Sequence, residues 1–183
     1  MLIKTIFSGF GGQGVLMMGY ILAVSGMNED KHVTYLPAYG AEVRGGTANC
    51  TVVISDKEIA SPVASIPDYV VAMNIPSFSK YQNMVANGGT MLYNADLVEA
   101  LSDRNDITYI PVPANSLAHQ AGSDRGANMV MLGALARLSQ AVELETIHQS
   151  LVEGVDESKK RFAALNWTCL QLGAKHIDER EIR

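Results

Sequence analysis

Cysteine is scarce. Only Cys50 and Cys169 occur in 183 residues, far apart in the chain. They cannot make a CxxC motif, a four-cysteine zinc site or the ligand set of an iron–sulfur cluster, so electron transfer through clusters would need another polypeptide. No apolar run reaches the ~20 residues of a membrane span, and the opening MLIKTIFSGFGGQG enters a glycine-rich turn without a cleavage region. The expectation is a cytoplasmic protein with no membrane contact. Basic charge is also short: 14 Lys and Arg against 19 Asp and Glu give a net charge of -5, which offers no footprint for nucleic acid. No G-x-S-x-G elbow and no GxxxxGK[ST] loop is present. The four histidines, His32, His119, His148 and His176, show no metal-binding spacing. Cys50 falls in an alternating apolar run, where a small buried side chain is expected rather than a nucleophile.

Hydrophobic residues make up 48% of the chain and charged residues 18%, enough for a real core and far from the composition of disorder. No repeat, linker or charge block divides it, so residues 1–183 are expected to form a single domain. Short apolar runs at 2–7, 32–36, 48–55, 68–74, 90–93 and 107–111 read as strands. Residues 15–24 read as a helix stopping at Gly26, and Pro76 opens another through Tyr81 and Val85. After Pro113 the pattern turns helical. Residues 127–138 are apolar on every face, as in a helix buried inside the domain or against a partner. Residues 144–152 and 157–172 are amphipathic, the latter capped by Asp156 and stopped by Gly173. The fold class expected is α/β: a three-layer, Rossmann-like domain with a largely parallel sheet and a helical C-terminal part.

Gly9-Phe10-Gly11-Gly12-Gln13-Gly14 fits G-x-G-x-x-G between a strand and a helix, where glycines allow close backbone approach and a helix N-terminus offers free N–H groups to phosphate. A dinucleotide site also needs an acid at the end of the second strand. That strand closes on Tyr35-Leu36-Pro37; Glu29 and Asp30 precede it and Glu42 lies beyond it. Three readings stay open: nicotinamide binding, which lacks its acid, another phosphate-bearing ligand, or a structural turn. A second glycine-rich loop carries Arg44-Gly45-Gly46-Thr47, where the arginine fork suits phosphate or carboxylate but would equally pair with Glu42. Asn74-Ile75-Pro76-Ser77 either lines the same crevice or caps the helix that follows.

FSGFGGQGVLMMGYILA, VTYLPAYGAEVRGGTANCTVVIS, ASPV, PDYVVAMNIPSFSKY and VPANSLAHQAGSDRGANMVMLGAL follow one another in this order. Together they resemble the gamma subunit of the 2-oxoacid:ferredoxin (acceptor) oxidoreductases. The 2-oxoglutarate and ketoisovalerate branches are nearer than the indolepyruvate branch around AYGAEVRGG, although many relatives carry proline where Ala41 stands. The resemblance implies a share in oxidative decarboxylation of a 2-oxoacid with coenzyme A to acyl-CoA, carbon dioxide and reduced ferredoxin. It places thiamine diphosphate in alpha and beta subunits and iron–sulfur clusters in other chains, among them a ferredoxin-like subunit, with ferredoxin as acceptor and a homodimer expected of the isolated chain. Gly11, Gly12, Gln13 and Gly14 would then approach the nucleotide end of coenzyme A. Arg44, Gly45, Gly46 and Thr47 would shape the same crevice, and no residue would be catalytic. The alternatives are a stand-alone Rossmann-like nucleotide-binding protein and a purely structural assembly subunit.

Overall fold

In the computed structural model, residues 1–39, 47–99, 104–153 and 160–181 are described. Six strands form one sheet: β1 (Leu2–Phe10), β2 (His32–Tyr39), β3 (Thr47–Ser55), β4 (Tyr69–Ala72), β5 (Thr90–Asn94) and β6 (Thr108–Val112), in the order β2-β3-β1-β4-β5-β6. β1, β4, β5 and β6 pair in parallel, and β3 runs antiparallel between β2 and β1. The sheet is therefore largely parallel, as expected, with one reversed strand.

Alternation within each strand feeds two cores. Phe7, Val71 and Leu92 face a large cluster with α1 (Val15–Asn28), α4 (Ala127–Ser139), α5 (Leu144–Val152) and α6 (Lys160–Glu181). Ile6, Val70 and Met91 face a smaller one with Phe78, Tyr81 and Val85, from α2 (Ile75–Tyr81) and the segment after it. Strands buried on both faces explain the unbroken apolar runs. A short α3 (Ala114–Gln120), not separately foreseen, links β6 to α4.

α4 is the centre of the larger core, with residues 128–136 all buried. The burial comes from the chain itself: a Cβ on Gly133 would collide with the Leu170 carbonyl, and one on Gly173 with the Val130 carbonyl. Close crossing of α4 and α6 thus requires glycine at both places. This corrects the expectation for Gly173, which lies inside α6 rather than ending it; Asp156 lies outside the described residues. Gly26 likewise does not stop α1, which runs on to Asn28 and is closed by Glu29 and by Asp30 at φ 56°. Its hydrogen is needed because a Cβ would stand 2.9 Å from Val33 Cγ2. The helix opened by Pro76 ends at Tyr81, and a 3₁₀ turn, Gln82–Met84, carries the chain on.

Candidate functional site at the glycine loop

The carboxyl ends of β1 and β4 lie side by side, with α1 leaving β1 toward the large core and α2 leaving β4 toward the small one. Crevices outside the strand ends at such a switch point are where open α/β sheets take ligands. The glycine loop sits there. Phe10 and Gln13 close a turn through the Gln13 amide and Phe10 carbonyl at 3.1 Å. Gly12 (φ 95°) and Gly14 (φ 72°) adopt the left-handed backbone, which side chains disfavour. Gly9 is required for another reason: a Cβ there would stand 2.9 Å from both Met73 Cβ and Val15 Cγ1. Around Gly11 and Gly12, in contrast, the added atom would meet nothing within 4 Å, so this part of the loop faces open space.

Gln13 holds the loop in place. Its Oε1 accepts from the Phe10 amide at 2.7 Å and from Asn74 Nδ2 at 3.0 Å, and its Nε2 donates to the Met73 carbonyl at 3.2 Å. Asn74 Oδ1 in turn accepts from the Ser77 amide at 2.9 Å, capping α2, and Ser8 Oγ meets Ser77 Oγ at 2.9 Å. The cap reading of Asn74 holds, and the same side chain ties α2 to the glycine loop. Because the Gln13 carboxamide is spent on its own scaffold, the groups the loop leaves unpaired beside the crevice are its backbone and the first amides of α1. Gly14 caps α1 without a side chain and no acidic residue lies in the first turn, so the positive helix end is left uncompensated.

Beside the loop lies a crevice of about 440 Å³, walled by Gly12, Gln13, Met73, Leu97 and Asn115, by Asp124 and Arg125 just before α4, and by Ala127 and Asn128 in its first turn. That volume is within the usual range for small-molecule sites. Of the predicted site residues, Gly12 and Gln13 line it directly and Gly11 and Gly14 belong to the same turn. Thr47 opens β3 opposite Phe10 at the same sheet edge. Arg44, Gly45, Gly46 and Glu42 lie outside the described residues. The α4 side of the wall, with Arg125 and Asn128, was not picked out from the sequence; its signal was a second glycine, Gly126, directly before a helix.

The other candidates lie elsewhere. Glu29 and Asp30 are at the opposite end of the sheet, where Glu29 pairs with Lys31 at 2.6 Å and accepts from the Glu143 amide at 2.7 Å; neither can reach a ribose at the glycine loop. Cys50 is fully buried under α1, and burial pushes its thiol up to about 12. Among the described residues, no group of three His, Cys, Asp or Glu is placed to hold a metal ion, and no helix is long and apolar enough to cross a membrane. His148 stacks on Trp167 at 4.3 Å, and His176 Nε2 lies 3.0 Å from the Pro111 carbonyl.

Compared with known proteins, residues 4–176 match the family model described as pyruvate ferredoxin/flavodoxin oxidoreductase. The chain belongs to that family. Within this oxidoreductase family, the 2-oxoglutarate synthase subunit KorC of Methanocaldococcus jannaschii is 34% identical over 81% of the chain and 81% of its own length. The ketoisovalerate oxidoreductase subunit VorA of Methanothermobacter thermautotrophicus is 37% identical over 97% of the chain, which spans only 37% of that relative. Among solved structures, the gamma subunit of a keto/oxoacid ferredoxin oxidoreductase from Geobacter sulfurreducens superposes with a TM-score of 0.81 at 28% identity, covering 96% of this chain and 98% of that one. A 2-oxoglutarate:ferredoxin oxidoreductase from Magnetococcus marinus, with 2-oxoglutarate, coenzyme A and succinyl-CoA bound, matches at TM-score 0.89 and 20% identity over 97% of this chain and 31% of that one. This last likeness is one of fold.

Proposed function

We propose that this chain is the gamma-type subunit of a 2-oxoacid:ferredoxin oxidoreductase and that its own share is to hold the phosphate-bearing end of coenzyme A. The complete enzyme, with alpha, beta and ferredoxin-like subunits, oxidatively decarboxylates a 2-oxoacid of the 2-oxoglutarate or ketoisovalerate type in the cytoplasm, giving acyl-CoA, carbon dioxide and reduced ferredoxin. Thiamine diphosphate and iron–sulfur clusters, which supply the carbanion and electron chemistry, belong to the partner polypeptides. The observation that carries the reading is the open Gly11–Gly12 turn, braced by Gln13 beside a crevice of about 440 Å³ at the switch point of the sheet.

The loop backbone and the α1 amides receive phosphate, with no acid, base or nucleophile supplied by the chain. Arg44, Gly45, Gly46 and Thr47 are assigned to the same coenzyme A site, Thr47 from the first position of β3. Support for the co-substrate comes from the Magnetococcus enzyme of the same fold, which carries coenzyme A. Holding the thiol carrier in register with an acyl intermediate formed elsewhere contributes several kcal/mol by orientation alone. The test is an anaerobic pull-down of the tagged chain, with dye reduction by several 2-oxoacids plus coenzyme A. In the assembled enzyme, Gly12→Val and Arg44→Ala should raise the requirement for coenzyme A more than that for 2-oxoacid; equal effects on both would overturn the assignment.

A further inference from the structure

α1 contains no charged residue: VLMMGYILAVSGMN runs from Val15 to Asn28 without an acid or a base. Most of it is buried in the large core. What it leaves outside is a row of apolar side chains, Met17, Tyr20, Val24 and Met27, of which Met17 is 47%, Tyr20 59% and Met27 63% exposed. Their spacing of three, four and three residues is the a/d seam along which one helix meets another. Scattered apolar residues are ordinary on a surface, but a continuous row marks an interaction face. Tyr35 of β2 widens it, with its ring edge-on to Tyr20 at 6.3 Å.

The row reads nearly the same in both directions. Turned end for end, Met17 falls opposite Met27 and Tyr20 opposite Val24, large against small. A second α1 running antiparallel therefore fits it with the same four side chains on each side. Such a pair also sets the positive end of each helix beside the negative end of the other. α1 has neither an acid in its first turn nor a base in its last to compensate those ends by itself. The net charge of -5 drives copies of the chain apart in general, whereas this helix brings no charge to the contact. β2, at the edge of the sheet beside α1, contains Pro37. Its missing N–H disfavours the addition of a strand there, so the contact is helix on helix.

We propose that two copies of this chain pair through α1, antiparallel about a two-fold axis that passes between Tyr20 and Val24. A single helix seam lies at the small end of specific interfaces, which places the dissociation constant in the micromolar range. The inference is independent of the coenzyme A reading, which concerns the loop before α1.

The experiment uses the full chain. In sedimentation velocity across the micromolar range, the species should pass from one chain mass to two, and Tyr20→Glu should weaken the dimer about tenfold or more. Tyr20 is exposed, so the variant keeps its fold, with circular dichroism as the check. Register is read by cysteine pairing, for which the native Cys50 and Cys169 are silent because both are buried. Met17→Cys mixed with Met27→Cys should give a disulfide-linked dimer on mild oxidation. Met17→Cys alone should not, since antiparallel copies hold the two positions 17 about 15 Å apart along the helix axis, beyond disulfide reach. A chain that stays monomeric, a dimer that Tyr20→Glu leaves unchanged, or a crosslink from Met17→Cys alone would overturn the inference. So would a chain that is monomeric by itself and loses an alpha or beta subunit from the pull-down on Tyr20→Glu, because the face would then belong to that subunit.

Discussion

Gln13 and Asn74 share a hydrogen bond of 3.0 Å across 61 residues of chain. Through it the turn after β1 and the cap of α2 form one unit, since Gln13 also bonds its own Phe10 amide and the Met73 carbonyl, while Asn74 holds the Ser77 amide. The loop that faces the crevice is therefore set by the end of β4 as much as by its own glycines. Removing the Gln13 carboxamide takes away the partner of the Phe10 amide, Asn74 Nδ2 and the Met73 carbonyl at the sheet edge. Gln13→Ala should lower unfolding stability by about 1–3 kcal/mol, read from urea titration, and should weaken coenzyme A binding as well; an unchanged midpoint would refute the bracing role.

Glycines in this chain should separate sharply by position. Gly133→Ala and Gly173→Ala each drive a methyl group into the backbone of the opposing helix, and overpacking of this kind typically costs about 1–3 kcal/mol or more. Gly11→Ala meets open space and should leave stability within about 0.5 kcal/mol. Gly12→Ala meets open space too but must adopt φ 95°, at a cost of about 1 kcal/mol. Thermal melts of the four variants would check the order.

Acid should weaken the fold partly through Glu29. Burial raises its carboxyl pKa, but the hydrogen bond with Lys31, the Glu143 amide and Thr146 outweigh that and hold it below the ordinary 4.5. A folded-state pKa below the unfolded one means that the contribution is present above about pH 4.5 and is lost as pH falls through the lower folded value. Glu29→Gln should therefore reduce stability at neutral pH and flatten its decline below pH 4.5, measured by urea unfolding at stepped pH. A parallel decline in wild type and variant would sink this account.

Thiol chemistry should report burial. With Cys50 fully buried and its pKa pushed up to about 12, the thiolate is essentially absent at pH 8. Cys169 is also buried, and burial raises its pKa despite the hydrogen bond with Ser123. Neither cysteine should be alkylated by iodoacetamide in the native chain, and both should react in urea. Rapid native labelling of Cys50 would contradict the packing of α1 over β3.

Much of this molecule was legible in the linear chain because strands buried on both faces read as continuous apolar runs, and because the strand–glycine–helix pattern has few other uses. β1, β3, α1, α4 and α5 appear close to where periodicity places them. Boundaries failed where a local signal met a tertiary demand. Gly26 and Gly173 look like helix stops, yet each lies inside a helix because a neighbouring element approaches too closely for a side chain: Val33 in one case, the Val130 carbonyl in the other. The local rule is a conformational preference of about 1 kcal/mol; dense packing around a crossing outweighs it.

The candidate site divides in the same way. Residues 9–14 declare a tight, phosphate-compatible turn from composition alone, since left-handed backbone and open approach both call for glycine. No local pattern says that Gln13 is spent on bracing rather than on a ligand, or that Asn128, more than a hundred residues later, rests against Gly14. Those facts depend on which strand lies beside β1 and which helix packs beneath the loop. Sequence periodicity carries the type and burial of each element because these follow from short-range geometry. Partners across the sheet edge are chosen by the packing of the whole core, and only the assembled fold brings them within hydrogen-bonding distance.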